Sequence, residues 1–476
     1  MLASVLLLAA CEPPGRGDTV LFASGADLQS INPLFTVHPL ARQTQRYVLL
    51  TTLVRYDSAY HVTPYLARRW QWSPDHRRVR LSLATSLRWH DGVPTTARDV
   101  VWTLDRARDP GTGYPRLPDL AGVSRVSAPD DSTVVIDFAV PRNDLPDVLT
   151  DLAILPAHLL DTVPAGGLRS AAWNQDPVGN GPFRFMAHEP NRRWVFEANP
   201  RFPAELGGPP GINRLVIAVV DEPTTKLAAL ASGELDFAGI NPAHAGFVRR
   251  DPRLEVLSYP LLFTYGIVFN TREPPFNDRD LRAAISLALD RREIVEGYLY
   301  GFGTAASGPV VPGSPGAVDL PVTESLDSAR RLLGGRTVRF ELLTVGSGEA
   351  ALEQMIQAQL KRVGIEVVIR QLELGAYLDR VNPRAHDFQA AVMGIPGDLD
   401  LGQIPRLAAL TGFTVPADPV LAQRRFADSV PVAFIYHARG VQGKNRRVHG
   451  VRMDIRGEFP TVSGWTVAAE ANAPRN

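Results

Sequence analysis

The residue types that most often perform chemistry occur in this chain without the partners that an active site requires. Among the ten histidines there is no His-Glu-x-x-His motif and no pair at positions i and i+4, so a zinc hydrolase has no support. His90 and Asp91 could form half of a catalytic triad, but no Gly-x-Ser-x-Gly nucleophile motif accompanies them. We therefore interpret Asp91 and Gly92 as a turn that His90 caps.

Two glycine-containing segments and one carboxylate pair are equally incomplete. Residues 111–113 and 346–348 resemble fragments of phosphate-binding loops, but neither continues into the Gly-Lys-Ser/Thr that completes such a loop. Asp398 and Asp400 could act as an acid/base pair, yet nothing else in the sequence supports glycoside hydrolysis. We expect a protein that is not an enzyme and that has neither a metal site nor a cofactor.

The composition excludes further classes of function. The 476 residues are 45% hydrophobic and 21% charged, which supplies enough apolar side chains for two or three domains. The 50 Lys and Arg residues balance 50 Asp and Glu residues, whereas proteins that neutralise phosphates usually carry a basic excess. We expect no nucleic-acid partner. The single cysteine, Cys11, excludes an intramolecular disulfide and a thiolate zinc cluster.

The N-terminal segment has the pattern of an export signal. Residues 1–10 form an apolar run that ends in small residues. Leu8-Ala9-Ala10-Cys11 resembles the bacterial lipobox, in which the cysteine is acylated and becomes the mature N-terminus. No Lys or Arg precedes the apolar run, a departure that an upstream start codon would explain. We predict a lipoprotein signal at residues 1–11, a polar tether at 12–18, and an extracytoplasmic, lipid-anchored protein.

Hydrophobic spacing predicts two strand–helix–strand units in separate parts of the chain. The first has a strand at 215–220, a helix that begins at Pro223 and ends at Gly233, and a second strand from Leu235. The second has a strand at 338–343, one apolar helix face at 352–363, a stop at Gly364 and a strand at 365–369. Two such units with separate apolar sets predict two α/β lobes.

Other segments have different patterns. Apolar spacing from Leu281 to Leu289 predicts a helix entered through Asn277 and Asp278. Short alternating strands at 79–83 and 133–138, separated by Asp-Gly and Pro, predict a mixed subdomain at 45–172.

Several sequence blocks, in this order along the chain, resemble the family 5 extracellular solute-binding proteins, the peptide- and nickel-type receptors of ABC importers. The blocks are 54–57 (VRYD), 63–70 (TPYLARRW), 87–94 (LRWHDGVP), 97–101 (ARDVV), 177–183 (PVGNGPF), 225–230 (TKLAAL), 233–236 (GELD), 269–270 (FN), 275–276 (PF) and 281–294. The resemblance covers roughly residues 18–400, together with 431–439.

The resemblance implies an α/β, two-lobed, periplasmic-binding-protein-like fold of type II with an extra inserted subdomain. The first lobe comprises 19–44, 173–261 and 438–476, with the insertion at 45–172, and the second lobe comprises 262–437. Two crossing segments, 262–270 and 432–437, are expected to form a hinge that closes when a ligand contacts both lobes.

The resemblance also implies ligand contacts. Asp398 matches the aspartate of the family's Gly-Trp-x-x-Asp loop, which pairs with the α-amino group of a peptide. Ile395 stands where the family has tryptophan, followed by Pro396. Tyr114 resembles the tyrosine that the inserted subdomain projects toward the ligand. Val37 falls where main-chain groups can pair with an extended peptide, and Gly239, Ile240 and Asn241 follow the carboxyl end of a strand. For each of these residues, ordinary loop structure is the alternative.

The function expected from the resemblance is a membrane-anchored, monomeric receptor that delivers peptides to the permease subunits of an ABC importer. Two alternatives stay open: a receptor for a non-peptide ligand such as a nickel chelate, oligosaccharide or opine, and a signalling or interaction protein on the same scaffold. Only about thirty residues separate Asp400 from Pro431, fewer than in the family. We therefore predict a shortened second lobe.

Overall fold

The structure, a computed structural model, describes residues 17–36, 38–399 and 401–468. Cys11 and Val37, two residues that the sequence analysis assigned to lipidation and to ligand binding, lie outside the described residues. Within these ranges, no helix combines the length and the apolar character needed to cross a membrane.

The strands of the described residues are β1 (Thr19–Ser24), β2 (Val54–Tyr56), β3 (Val62–Pro64), β4 (Ala67–Trp72), β5 (Arg78–Leu83), β6 (Val123–Asp130), β7 (Thr133–Phe138), β8 (Phe183–Glu189), β9 (Arg193–Ala198), β10 (Arg214–Val219), β11 (Phe237–Gly239), β12 (Leu254–Phe269), β13 (Gly303–Ala305), β14 (Val338–Val345), β15 (Ile365–Leu372), β16 (Ala390–Pro396), β17 (Val432–Asn445), β18 (Val448–His449) and β19 (Thr466–Val467).

The α-helices of the same residues are α1 (Pro39–Gln43), α2 (Ala97–Arg108), α3 (Ala157–Leu160), α4 (Pro223–Ser232), α5 (Ala245–Arg250), α6 (Arg279–Ala288), α7 (Arg291–Gly297), α8 (Leu326–Leu333), α9 (Ala351–Lys361), α10 (Leu374–Val381), α11 (Gln403–Thr411) and α12 (Pro419–Ser429). A π-helical segment at Thr44–Leu49 follows α1 directly.

One large sheet runs through both lobes. In the described part of the chain it has eleven strands in the order β15-β14-β16-β12-β17-β11-β1-β10-β9-β8, with β13 paired to β17 outside this path. β12 and β17 are its long central strands. Residues 254–260 of β12 pair with 439–445 of β17, and residues 264–268 pair with 432–437. Both crossing segments expected from the sequence are therefore antiparallel strands that belong to the two lobes at once.

The second predicted strand–helix–strand unit is confirmed in detail, and the first only in part. β14 and β15 pair directly in parallel and are joined by α9, and Gly364 has the predicted left-handed conformation, with φ of 86°. β10, α4 and β11 also form where predicted, but β10 and β11 do not pair directly. β1 lies between them and pairs in parallel with both. A local sequence pattern cannot show that β1 lies between these strands, because the pairing joins residues about 200 positions apart.

The strands predicted at 79–83 and 133–138 are β5 and β7, which belong to a separate four-stranded sheet with the order β4-β5-β7-β6. This sheet lies within 45–172, but its apolar side chains merge with those of the first lobe into one buried cluster, which includes Leu49, Val79, Ile136, Phe183 and Ile217. The insertion and the first lobe therefore share a core. The domain boundaries given above stay a prediction.

The Pro-Val-Gly-Asn-Gly-Pro-Phe block joins the insertion to the first lobe. The Gly181 N–H donates to the Leu49 carbonyl at 2.8 Å, and a Cβ on Gly181 would lie only 2.5 Å from the Val48 carbonyl oxygen. The buried Asn180 between the glycines accepts the Thr51 N–H at 2.9 Å. Glycine is required at position 181 because two backbones meet there without room for a side chain.

A buried ion pair joins distant parts of the first lobe. Asp236, which is 0% exposed, accepts the Arg447 Nε and Nη2 at 2.6 and 2.7 Å. The same carboxylate accepts the Leu21 N–H at 2.9 Å, and Arg447 also donates to the Thr19 carbonyl at 2.7 Å. The aspartate of the Gly-Glu-Leu-Asp block therefore connects β1, β11 and the segment after β17.

We predict that Asp236→Ala lowers the free energy of unfolding by about 3–5 kcal/mol, because the Arg447 guanidinium loses its buried partner. Denaturant unfolding would measure the change. Glu234→Ala, at an exposed position of the same block, is the matched control and should change stability by less than about 0.5 kcal/mol. Equal stability of the two variants would show that the Asp236–Arg447 ion pair does not stabilise the first lobe.

Candidate functional site

The predicted ligand-contact segments of both lobes lie beside an irregularity in the two crossing strands. Between Pro260 and Thr264, three residues of β12 stand opposite the single residue Ala438 of β17, which is a bulge. On the second-lobe side, the Gly397 N–H donates to the Leu262 carbonyl of this bulge at 2.8 Å. On the first-lobe side, the Ile240 N–H donates to the Val441 carbonyl at 3.0 Å. The bulge therefore separates the two halves of the candidate site.

The bulge also contains a buried histidine. His437 Nδ1 lies 2.9 Å from the Thr264 Oγ1, and both side chains are buried. Burial lowers the pKa of His437 to about 4, so the imidazole is neutral at neutral pH. Burial of this side chain therefore carries no cost of desolvating a charge.

Ile395 does not form a wall of a pocket with its side chain. It is 4% exposed and packs in the core of the second lobe with Leu401, Ile404 and Phe434. The aromatic rings nearest to this segment belong instead to β12, where Phe263 and Tyr265 lie 5.4 Å apart. A Cβ on Gly394 would lie 2.4 Å from the Phe263 ring, so glycine is required where this ring packs on β16.

The main chain of β16 is open on one side at the candidate site. β16 pairs with β12 along its whole length, but with β14 only at Ala390 and Ala391. Alternate residues point their main-chain groups away from β12: the Val392 carbonyl accepts the Tyr377 hydroxyl, and the Pro396 carbonyl accepts Arg406. By the same alternation the N–H and C=O of Gly394 face this side, three residues beyond the last pairing of β16 with β14. We call residues 392–396, on the side away from β12, the open edge of β16.

Asp398 follows the open edge and already has a cationic partner. Its Oδ2 accepts the Arg406 Nη2 at 2.7 Å, and its main-chain N–H donates to the Gln403 Oε1 at 3.1 Å. Both partners belong to α11. The sequence analysis missed Arg406, although it follows Asp398 by only eight residues, because no motif marks a loop carboxylate as paired.

Tyr114, the contact predicted for the inserted subdomain, is almost fully buried. This residue lines a cavity of about 30 Å³ together with Pro33, Thr36, Arg42, Gln45, Pro115, Arg116, Asp151 and Leu152. Thr36 directly precedes Val37, so the structure brings Tyr114 close to the segment that the resemblance assigned to main-chain pairing. Burial raises the pKa of the Tyr114 hydroxyl well above its usual range, and the hydroxyl is neutral at neutral pH.

A carboxylate surrounded by arginines lines the same cavity as Tyr114. Asp151 accepts the Arg42 Nη2 and the Arg46 Nη1, each at 2.5 Å, and the Arg116 Nη1 at 3.3 Å. Burial would raise the pKa of Asp151, but the three guanidinium groups outweigh it and hold this pKa well below its usual range. The i, i+4 spacing of Arg42 and Arg46 indicates a shared partner, but that partner lies over 100 residues away.

The remaining predicted contact segment has mostly structural roles. Gly239 pairs with Gln442 in the large sheet, and the Ile240 side chain is buried with Leu230 and Val248. The Asn241 side chain accepts the Ala243 N–H at 2.9 Å and thereby caps a short 3-10 turn. Ligand contact by these three residues stays a prediction, and the structure gives each of them an ordinary structural role.

The other candidates for chemistry are also explained by structure. Asp91 and Gly92 form the predicted turn, but the prediction that His90 caps it is wrong: the His90 ring lies 3.0 Å from the Gly181 carbonyl. Asp91 itself accepts the Val93 N–H of the turn at 3.1 Å and also pairs with His158 at 2.8 Å. Burial lowers the pKa of His90 to about 4. Among the described residues, no group of three or more His, Cys, Asp or Glu side chains could hold a metal ion.

Comparisons with known proteins agree with this architecture. Residues 61–403 match the family model of bacterial extracellular solute-binding proteins, family 5. The dipeptide-binding protein of Escherichia coli K12 is 25% identical over 420 residues, which are 80% of this chain and 77% of that protein. A relative from Brucella ovis is 29% identical over 338 residues. The chain spans 63% of the length of that relative.

Two solved structures have the same fold. The oligopeptide-binding protein AppA from Bacillus subtilis, in complex with a nonapeptide, has a TM-score of 0.76 and 22% identity, and the alignment covers 95% of this chain and 99% of AppA. NikA from Brucella suis, in complex with Fe(III)-EDTA, has a TM-score of 0.81 and 18% identity, covering 94% of this chain and 100% of NikA. The two-lobed α/β fold expected from the resemblance is therefore confirmed.

Proposed function

Because the chain belongs to the bacterial extracellular solute-binding proteins of family 5, we propose that it captures peptides outside the cytoplasm and delivers them to an ABC importer. Its relatives are solute-binding proteins and not enzymes. The permease subunits of the importer would be its protein partners, and the receptor would act as a monomer.

The open edge of β16 is the observation that favours peptides as the ligand. An extended peptide can add to a free sheet edge through main-chain hydrogen bonds, which do not depend on the side chains of the peptide. Gly394 supplies an N–H and a C=O for such pairing, and Asp398 lies two residues beyond the end of the strand. The terminal ammonium of a peptide that is paired with β16 in this way would then lie close to the Asp398 carboxylate.

The crossing strands support a closing motion. They connect the lobes through a bulge, and a bulge absorbs changes in backbone angle more easily than regular ladder pairing does. A peptide that pairs with β16 and contacts the Tyr114 side makes its full set of contacts only when the lobes close. Binding therefore shifts the population toward the closed form.

We predict that native mass spectrometry of the protein, incubated with a tryptic digest of casein, detects complexes heavier by the mass of one peptide. Small-angle scattering of the same sample should give a smaller radius of gyration than the protein alone, because the lobes close around the ligand. A mixture of free amino acids serves as the control. Failure to bind any peptide would overturn the proposed function, and binding without a change in scattering would overturn the closing motion.

We predict that Asp398→Ala weakens the binding of trialanine at least tenfold in calorimetry. Truncating one partner of a desolvated charge pair costs about 2–5 kcal/mol, and about 1.4 kcal/mol corresponds to a factor of ten. N-acetylation of the peptide should weaken wild-type binding similarly and affect the variant much less. Asp327→Ala, which removes an exposed acid of the same lobe, is the control. Additive losses from the mutation and the acetylation would show that Asp398 and the amino group do not meet.

We further propose that the receptor is held at the membrane by acylation of Cys11. The support is the Leu-Ala-Ala-Cys sequence after an apolar run. When the gene is expressed with an export-competent leader, the wild type should incorporate labelled fatty acid and sediment with membranes. Cys11→Ser should do neither, and equal labelling of both proteins would contradict the proposal.

A further inference from the structure

Arg406 occupies the acceptors at the end of the open edge. Its Nη2 donates to the Asp398 Oδ2 at 2.7 Å and to the Pro396 carbonyl at 3.2 Å. One carboxylate oxygen and one main-chain carbonyl, placed beside a free sheet edge, are the acceptors that the terminal ammonium of a paired peptide would use. A cation of the protein itself therefore stands at the place assigned to a cation of the ligand.

Helix α11 holds Arg406 at this place through its packing. Ile404, Leu407 and Ala408 are buried in the same cluster as Ile395. Gln403 is also buried, and its Oε1 accepts the Asp398 N–H. Gln403 and Arg406 are three residues apart and so share one face of the helix. The first turn of α11 therefore positions both the main chain of the Asp398 loop and the guanidinium that pairs with its carboxylate.

The ion pair is weak enough to be opened. The side chain of Arg406 is 55% exposed and that of Asp398 is 34% exposed. Pairs with this exposure contribute little, because water and salt screen both charges. The guanidinium can therefore leave the carboxylate without the cost of a buried unpaired charge, whereas Gln403 and the apolar residues of α11 stay in place.

We propose that Arg406 is a specificity-determining residue, a tethered cation that competes with the terminal ammonium of a peptide for Asp398 and the Pro396 carbonyl. This inference rests on the proposed function. A peptide with a free amino terminus must displace Arg406, which reduces the net gain from its ammonium. A peptide with a blocked amino terminus binds while Arg406 stays paired. Arg406 thus narrows the difference in affinity between free and blocked peptides.

The test compares trialanine with N-acetyl-trialanine by calorimetry at constant ionic strength. Arg406→Gln removes the charge and keeps much of the length of the side chain. It should bind trialanine about three- to fivefold more tightly than the wild type does, as expected from loss of an exposed competing pair. Its affinity for N-acetyl-trialanine should be unchanged or lower. Arg339→Gln removes a similarly exposed cation from β14 and should change neither affinity.

Combining Arg406→Gln with Asp398→Ala tests whether the effect of Arg406 depends on this carboxylate. In that background Arg406→Gln should strengthen the binding of trialanine much less, because the carboxylate is gone and only the Pro396 carbonyl remains to compete for. If Arg406→Gln leaves trialanine affinity unchanged or weakens it while the wild type binds trialanine, the competition is overturned and the receptor function stands. If neither protein binds trialanine or any peptide of a casein digest, the proposed function fails first, and this inference fails with it.

Discussion

The pairing of β12 with β17 is the interaction on which the rest of the structure depends. These two antiparallel strands are the centre of a sheet that runs through both lobes, so the lobes are joined by main-chain hydrogen bonds and not by flexible linkers. On the first-lobe side the pairing of residues 254–260 is regular, and on the second-lobe side it contains a further register shift between Tyr265 and Gly266. The bulge between Pro260 and Thr264 interrupts this pairing, and the buried His437 beside it is neutral. We therefore expect movement of the lobes relative to each other to be concentrated in residues 260–266 of β12, where the pairing is irregular.

The same crossing determines where ligand contacts can lie. Because β16 pairs with β12 and β11 pairs with β17, the loops after β16 and β11 both end beside the bulge, one on each side of it. Groups on these loops move relative to each other when the lobes move, whereas groups deep in either lobe do not. The open edge of β16 and the Asp398–Arg406 pair are at this boundary, so we expect a ligand bound there to respond to the relative position of the lobes.

Two of the blocks that carry the family resemblance contain residues that stabilise the fold. Asp236 joins three parts of the first lobe, Gly181 allows two backbones to meet, and Asn180 satisfies a buried N–H. Residues of this kind tolerate little change, since a buried charge without its partner or a side chain in a backbone contact is costly. Ligand-facing positions have more freedom. This difference explains how the chain keeps the family's structural blocks and yet has Ile395, with its side chain in the core, where the family has tryptophan.

By itself, the sequence determined the local elements, because helix caps, apolar periodicity and turn residues act over a few positions. The helix entered at Asp278, the unit from Val338 to Leu372 and the strands β5 and β7 of the insertion follow from such signals. The family resemblance of several sequence blocks was sufficient to predict the two-lobed fold, and it named Tyr114 and Asp398 as candidate ligand contacts. Only the tertiary structure decided that β1 separates β10 from β11, that Asp151 gathers three arginines, and that Arg406 already neutralises Asp398. Strand order and ion pairing depend on which distant residues meet when the chain collapses, and the spacing of residues along the chain does not contain that information.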